Sequence, residues 1–492
     1  MLDEAQPADR TAAERIVKEM DGLPLAIVQA GAYIEETGCS LEDYLSLYAE
    51  HRKELLARPS RLIPDYPETV ATTWALSFEQ VKKESAAADL LCLCAFLAPD
   101  AIPEEMLTRG AAELGPILGT AAADAFKLNE ALNVLRRYSL VRRERSTHML
   151  SLHRLVQTVH RDSMDQETQR TWAERTVRAM NAAFPEIDYA SSENHQYYLQ
   201  YYLPHIQECA TLITQYKLHF QEAARPLYQT GVFLHFHGFY TQSRSLLQQA
   251  LAIGEQALVP DNPTIAEYLN ALAMLSRNQG DHEQAEGFHQ QALAIRQKSL
   301  GPLHSATAES LNNLGVLYRS QKKYKQAAPL LKEALSAYEQ SLGPEHVNTW
   351  VSRINLAKLN LEQREYAQAE QLLQQARVTS ERVLESGDPL LAQPLNLLAR
   401  LSFEQGDYER AGSLWKEALA IIEKTHGMEH PATAERLYDL AKLYYTQGHY
   451  IEAQSFCERA VNICEKILGS EHLDTIAVRK LFAIISDKVK VR

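Results

Sequence analysis

The sequence predicts a mainly all-α protein whose C-terminal half is an α-α superhelix of paired helices. A fixed period and the small residues held at two of its phases carry this reading. Tyr240, His282, Tyr324, Tyr366, Tyr408 and Tyr450 stand 42 residues apart. Ten residues after each is an alanine: Ala250, Ala292, Ala334, Ala376, Ala418 and Ala460. Nine before each is a small residue: Gly231, Ala273, Gly315, Ala357, Ala399 and Ala441. With alanine at about one position in ten, six at one phase have odds on the order of one in a million.

Each period reads as two antiparallel helices. The small positions let helices approach closely, and a larger side chain there would cost about 1–3 kcal/mol of overpacking. Leu272, Leu314, Leu356, Leu398 and Leu440 stand one residue before the small position and fill the core. Gly280, Gly406 and Gly448 suit the left-handed cap between paired helices. Leu300-Gly301-Pro302, Leu342-Gly343-Pro344, His426-Gly427 and Leu468-Gly469 punctuate successive pairs, as Gly and Pro stop helices. Six repeats fill 224–472, and 473–492 reads as a capping helix with Lys480, Asp487, Lys488 and Lys490 to solvate the end. Repeat four departs most. Arg353 stands at a usual leucine position, and Glu385-Ser386-Gly387-Asp388 replaces Gly-Pro-x-His, which predicts a local irregularity.

The N-terminal half is also mainly helical. Residues 1–57 read as a small helical domain in which Asp21-Gly22-Leu23-Pro24 ends one helix and starts the next, with Pro24 in the first turn. A proline-rich linker covers 58–69. Residues 70–165 read as helices followed by a hairpin, Val141–Arg145 and His148–Leu152 around Ser146-Thr147, which suggests a winged helix. A helical connector, 166–223, contains Tyr202-Leu203-Pro204-His205-Ile206, the entry to a degenerate repeat.

Composition narrows the function. The chain has 492 residues, 46 % of them hydrophobic, enough for an ordinary folded core. A net charge of −13 disfavours a nucleic-acid binder, which usually carries a basic footprint. Six cysteines are too sparse for a disulfide framework and read as reduced thiols. Cys92 and Cys94, with no second pair or histidine beside them in sequence, read as small core residues in the apolar run Leu90–Ala98. That run is too short to span a bilayer, and no basic start or apolar signal core is visible. A cytoplasmic protein without a membrane partner is expected.

Leu314-Gly315-x-x-Tyr318 followed by Ala327 and Ala334 resembles the tetratricopeptide repeat (TPR), whose usual unit is eight residues shorter. The Leu342–His346 segment, Leu-Gly-Pro-Glu-His, resembles kinesin-light-chain-type repeats. The N-terminal segments resemble the ARC helices and winged helix of the NB-ARC, or STAND-type, signalling ATPases. Gly22-Leu23-Pro24-Leu25 matches that family's Gly-Leu-Pro-Leu motif, and Leu152-His153-Arg154 stands where the family has Met-His-Asp, with only His153 matching. The resemblance implies that Pro24 packs on the adenine of bound ADP and that His153 lies near its β-phosphate. It also implies a Gly-x-x-x-x-Gly-Lys-Ser/Thr phosphate loop, which this sequence does not contain. ADP is therefore expected only with a separate nucleotide-binding core, no other cofactor is implied, and the chain reads as a truncation, a split protein or a fragment.

No Ser/His/Asp, Cys/His or paired-carboxylate arrangement stands out, so no catalytic residue is assigned and no enzyme activity is expected. His304, His346, His430 and His472 recur once per repeat, so they read as loop residues of the repeat signature and not as metal ligands. In the TPR register, the first helix of each pair lines the inner face. Asn313 and Asn355 fall at the sixth position, Lys358, Arg400 and Lys442 at the ninth, and Arg277 and Arg319 at the twelfth. Asparagine amides can pair with an extended peptide backbone, and the cations can hold carboxylates. Lys358, Arg400 and Lys442 would stack as a ladder. A second basic cluster, including Arg136, Arg137, Arg142, Arg143, Arg145, Arg154 and Arg161, falls around the hairpin.

The expected function is a non-enzymatic interaction scaffold. Its groove binds an acidic or extended peptide or protein, and its N-terminal modules relay occupancy to a STAND-type module. A homo-oligomer or a separate NTPase subunit is the further partner this implies. Two alternatives are a winged-helix transcription regulator and an ADP-binding switch.

Overall fold

The computed structural model describes residues 7–20, 22–57, 70–144, 146–185, 193–385 and 388–490. The linker at 58–69, Arg145 and Ser386-Gly387 lie outside these residues. Contacts divide the chain into one unit to Val259 and a second from Pro260.

The first unit opens with α1 (Pro7–Glu19), α2 (Pro24–Thr37) and α3 (Leu41–Ala57). Ala12, Ile16, Met20, Ala26, Tyr44 and Tyr48 close one apolar core between them. α4 (Val70–Val81) and α5 (Ser85–Ala95) lead to β1 (Ile102–Pro103). α6 (Glu104–Arg109), α7 (Gly115–Ala122) and α8 (Ala125–Arg137) follow, then β2 (Arg142–Glu144) and β3 (Met149–Ser151). The strands form an antiparallel sheet in the order β1-β3-β2, with Arg142 opposite Ser151 and Glu144 opposite Met149. The hairpin read from sequence is present, with shorter strands.

α9 (Arg154–Asp162) ties these parts together. Its Leu155 belongs to the core of the first three helices. The Gln157 amide donates to the Cys94 and Leu97 carbonyls at 2.7 and 2.9 Å, satisfying the end of α5. Arg52 of α3 donates to both carboxylate oxygens of Asp162, at 2.9 and 3.2 Å. α10 (Gln166–Ala183), α11 (Glu193–Tyr201) and α12 (Leu203–Tyr216) precede the first regular pair, α13 (Gln221–Phe236) and α14 (Tyr240–Ala257). A Cβ built on Gly231 would stand 2.7 Å from Leu247 Cγ, so this pair needs its glycine.

The second unit contains five more pairs: α15 (Pro263–Asn278) with α16 (His282–Leu300), α17 (Ser305–Ser320) with α18 (Tyr324–Ser341), α19 (Val347–Glu362) with α20 (Tyr366–Val383), α21 (Ala392–Gln405) with α22 (Tyr408–His426), and α23 (Pro431–Thr446) with α24 (Tyr450–Ile467). α25 (Leu473–Lys490) packs against both helices of the last pair. Ala292, Ala334, Ala376, Ala418 and Ala460 are all fully buried, as the period requires.

The recurring histidines have a local job. The Nδ1 atoms of His304, His346, His430 and His472 accept the backbone N–H two residues on, at 3.1–3.2 Å. His304, His346 and His430 therefore cap the first helix of a pair, and His472 caps α25. Where the period puts Asp388, its carboxylate does the same for Leu390 at 2.8 Å. A threonine three residues after the histidine completes the signature: Thr307, Thr349 and Thr433 donate to the carbonyls of Gly301, Gly343 and Gly427 at 2.7–2.8 Å. The irregularity expected in repeat four is a 3₁₀ turn, Pro389–Leu391, ahead of α21.

Arg353 is buried and pairs with Glu339 at 2.7 Å while donating to the Pro344 carbonyl at 3.1 Å. Glu339→Ala leaves a buried guanidinium without its carboxylate. We expect a loss of about 1–3 kcal/mol, the lower part of the usual range because Glu339 is itself partly exposed. Arg353→Leu installs the residue of neighbouring repeats and removes the desolvation cost together with the charge, so it should be neutral or stabilising. Urea unfolding with the two midpoints in the reverse order would contradict this.

Three buried histidines make stability depend on pH. Burial lowers His160, His205 and His289 to about 4 from the ordinary 6.5. The unfolded chain binds these protons first, so stability is full above 6.5 and falls as pH drops toward 4. Asp439, raised to about 6 by burial, acts in the opposite sense. The urea midpoint should therefore be lower at about pH 5 than at about pH 7.5, and an unchanged midpoint would refute the histidine account.

Candidate functional site

The first helices α15, α17, α19, α21 and α23 carry every inner-face residue read from sequence. Arg277 and Arg319 stand in the last turns of α15 and α17, where a cation favours the negative helix end. Burial and then Arg319 hold the Arg277 guanidinium below its usual range. Burial and then Arg319 also lower the Lys358 ammonium, against the opposite pull of Glu362 and Glu435. Arg319 is mostly buried, bonds Glu362 at 3.0 Å, and leaves its Nε buried without a partner. Three cations on successive first helices thus crowd one another, and Glu362 is the carboxylate bonded among them. An anion placed there would relieve the crowding.

The Lys358, Arg400 and Lys442 ladder is electrostatically uneven. Arg400 bonds Glu404 of its own helix at 3.1 Å. Lys442 Nζ sits 5.8 Å from the centre of the Phe403 ring. Arg436, Lys442 and Arg400 all pull down the pKa of the half-buried Asp439, so both ladder residues feel its carboxylate. Lys358 goes with Arg277 and Arg319. Asn355 donates to Asn312 at 3.1 Å, and Asn313 is half-buried beside that pair. Asn312 escaped the sequence reading because the register pointed to its neighbour.

Pro24 is exposed in the first turn of α2, and His153 caps α9 by accepting the Leu155 N–H on Nδ1 at 3.2 Å. Leu23 and Leu155, next to each motif, share one core. Helix starts account for the positions of both motif residues.

The fold adds a contact that the sequence spacing does not show. Cys92 has a histidine neighbour after all, brought from α9: His160 Nε2 lies 3.4 Å from Cys92 Sγ. Burial pushes the thiol up to about 12 and the imidazole down to about 4, so the contact joins neutral groups and no thiolate forms. Among the described residues no group of three or more His, Cys, Asp or Glu is placed to hold a metal. No described helix is long and apolar enough to cross a membrane.

Two arginines of the second basic cluster are used internally. Arg143 bonds Glu104 at 2.7 Å and Asn129 at 2.6 Å. Arg161 is half-buried, 5.8 Å from the centre of the Phe96 ring.

Comparison with known proteins agrees with this arrangement. The Tetratricopeptide repeat family matches residues 222–298, 265–340, 329–377 and 390–466. A Domain of unknown function (DUF7779) matches residues 76–169. A nucleotide-binding leucine-rich repeat (NLR)-like protein of Hyaloscypha variabilis is 28 % identical over 269 residues, which is 52 % of this chain and 26 % of that protein. The chain thus spans about a quarter of the length of this relative. TPR-like repeats of a Podosopora anserina protein, described as a kinesin light chain, are 26 % identical, cover 42 % of this chain and 96 % of their own, and have a TM-score of 0.38. A STAND protein with a tetratricopeptide repeat sensor from Pyrococcus horikoshii is 13 % identical, covers 94 % of this chain and 69 % of its own, and has a TM-score of 0.45. Residues 222–377 and 390–466 are tetratricopeptide repeats, in a chain similar to an NLR-like protein and to a STAND protein with a TPR sensor.

Proposed function

We propose that the chain is a non-enzymatic scaffold whose repeats bind an acidic, extended peptide. The N-terminal modules would pass occupancy to a STAND-type signalling core, in the same or a separate chain. One observation carries the binding half of this reading: Arg277, Arg319 and Lys358 are crowded together, partly desolvated, around a single bonded carboxylate. Desolvation makes charge-assisted bonds stronger than on an open surface. The helix α9 supports the relay half. It holds the first three helices through Leu155 and Asp162 and the α5 end through Gln157, so movement at one side is felt at the other.

The order of helices, strand and hairpin over 85–151 supports a winged helix. Its use of Arg143 and Arg161 inside the protein favours a packing role over DNA binding.

Labelled peptides of one length, acidic or neutral, titrated into the full chain test the binding half. The acidic peptide should bind, weakening as salt screens the cluster. Equal binding of the neutral peptide would defeat the reading.

A further inference from the structure

A cavity of about 480 Å³ lies between α23, the end of α24 and α25. Ala432, Ala434, Leu468, Ala477 and Val478 make apolar walls, with Tyr438 on one side. Two carboxylates, Glu435 and Asp474, stand in the lining, and no Lys, Arg or His does. Both are exposed at its mouth. Glu435 is also paired with Arg436 of its own helix, and Asp474 lies 3.6 Å from His472 Nδ1. In the TPR register Glu435 and Tyr438 fall at the second and fifth positions of their helix, both on the inner face. α25 follows where a further first helix would stand. The cavity therefore opens on the same inner face as the basic cluster, toward the other end of the unit, and with the opposite charge.

Apolar walls with carboxylates at the rim match one kind of side chain: an aliphatic stem carrying a cation. We infer that this cavity takes a lysine or arginine from the same peptide whose acidic group sits at Arg319 and Lys358; the inference rests on the binding half of the proposal above. The groove is then bipolar, and it selects ligands by the spacing of opposite charges. Glu435 is one of the two carboxylates whose charge Lys358 feels, so the acidic rim of the cavity and the basic cluster lie close together on the inner face. The preferred ligand carries an acidic group and a lysine or arginine only a few residues apart. Its stem would fill the cavity while its head group meets Glu435 and Asp474. α25, which solvates the end of the array, would also form half of a binding site.

Three labelled peptides of equal length test this on the full chain. One carries only an acidic stretch, one adds a lysine a few residues away, and one carries only the lysine in a neutral background. In wild type the added lysine should tighten binding about ten-fold, the effect of one desolvated charged hydrogen bond. In the double variant Glu435→Gln, Asp474→Asn that gain should vanish while the acidic-only peptide binds at least as tightly as to wild type, since Glu435 no longer offsets Lys358, which also shows that the variant is folded. Absence of the gain in wild type, or its survival in the double variant, would overturn the inference. If the acidic-only peptide does not bind at all, it is the reading of the basic cluster that fails. The cavity assignment then stands only if the lysine-only peptide binds wild type and not the double variant, and falls otherwise.

Discussion

Replacing Ala334 with leucine should lower the stability of the chain by about 1–3 kcal/mol and its unfolding temperature by roughly 2–10 °C. Ala334 is fully buried on α18, and the equivalent alanine is fully buried in every pair. The reason is distance. Paired helices approach until only a methyl group or a hydrogen fits between them, as a Cβ added at Gly315 would stand 2.8 Å from Leu331 Cγ. A leucine at 334 must push the helices apart or adopt a strained rotamer. Gln371→Leu, on the exposed side of α20, is the control and should change stability by less than about 0.5 kcal/mol. Similar unfolding temperatures for the two variants would show that the period is not a packing constraint.

Neutralising the basic cluster should have the larger effect on binding. Arg319→Gln with Lys358→Gln removes two of the three crowded cations and leaves Glu362 without its partner. Affinity for an acidic peptide should fall about 10–100-fold, since each desolvated charged bond contributes about 1.5–3 kcal/mol and each 1.4 kcal/mol is a factor of ten. Glutamine keeps the length and a donor, so the helices should remain intact by circular dichroism. Arg400→Gln with Lys442→Gln should weaken binding less, because Glu404 and Asp439 already offset those charges. Isothermal titration of both double variants separates the cases. Equal losses would restore the uniform ladder and remove the basis for the Arg277–Arg319–Lys358 site.

The repeat was legible in the sequence because packing repeats its demands. The same alanine, leucine and small positions recur wherever the same two helices meet, so the period can be read without any structure. The histidine signature was legible as a loop feature, but its purpose was not. Capping depends on whether Nδ1 reaches the N–H two residues on, which is a matter of backbone geometry. The candidate site was partly legible. The register put Arg277, Arg319 and Lys358 on the inner face, but it could not tell which cations were already offset. Asp439 lies three residues from Arg436 and Lys442, and only burial gives its carboxyl weight there. Cys92 and His160 are 68 residues apart, so their contact belongs to the tertiary fold and had no local signal. Arg353 looked like a blemish in a leucine column, and its partner Glu339 belongs to the preceding helix pair.

Hydrogen exchange of the full chain, with and without an acidic peptide that binds it, tests the central claim most directly. The account predicts slower exchange on the bound complex in α17 and α19, at the turns carrying Arg319 and Lys358, and little change in β2 and β3. Protection confined to β2, β3 and α8, with α17 and α19 unchanged, would contradict it and place the ligand on the N-terminal modules instead.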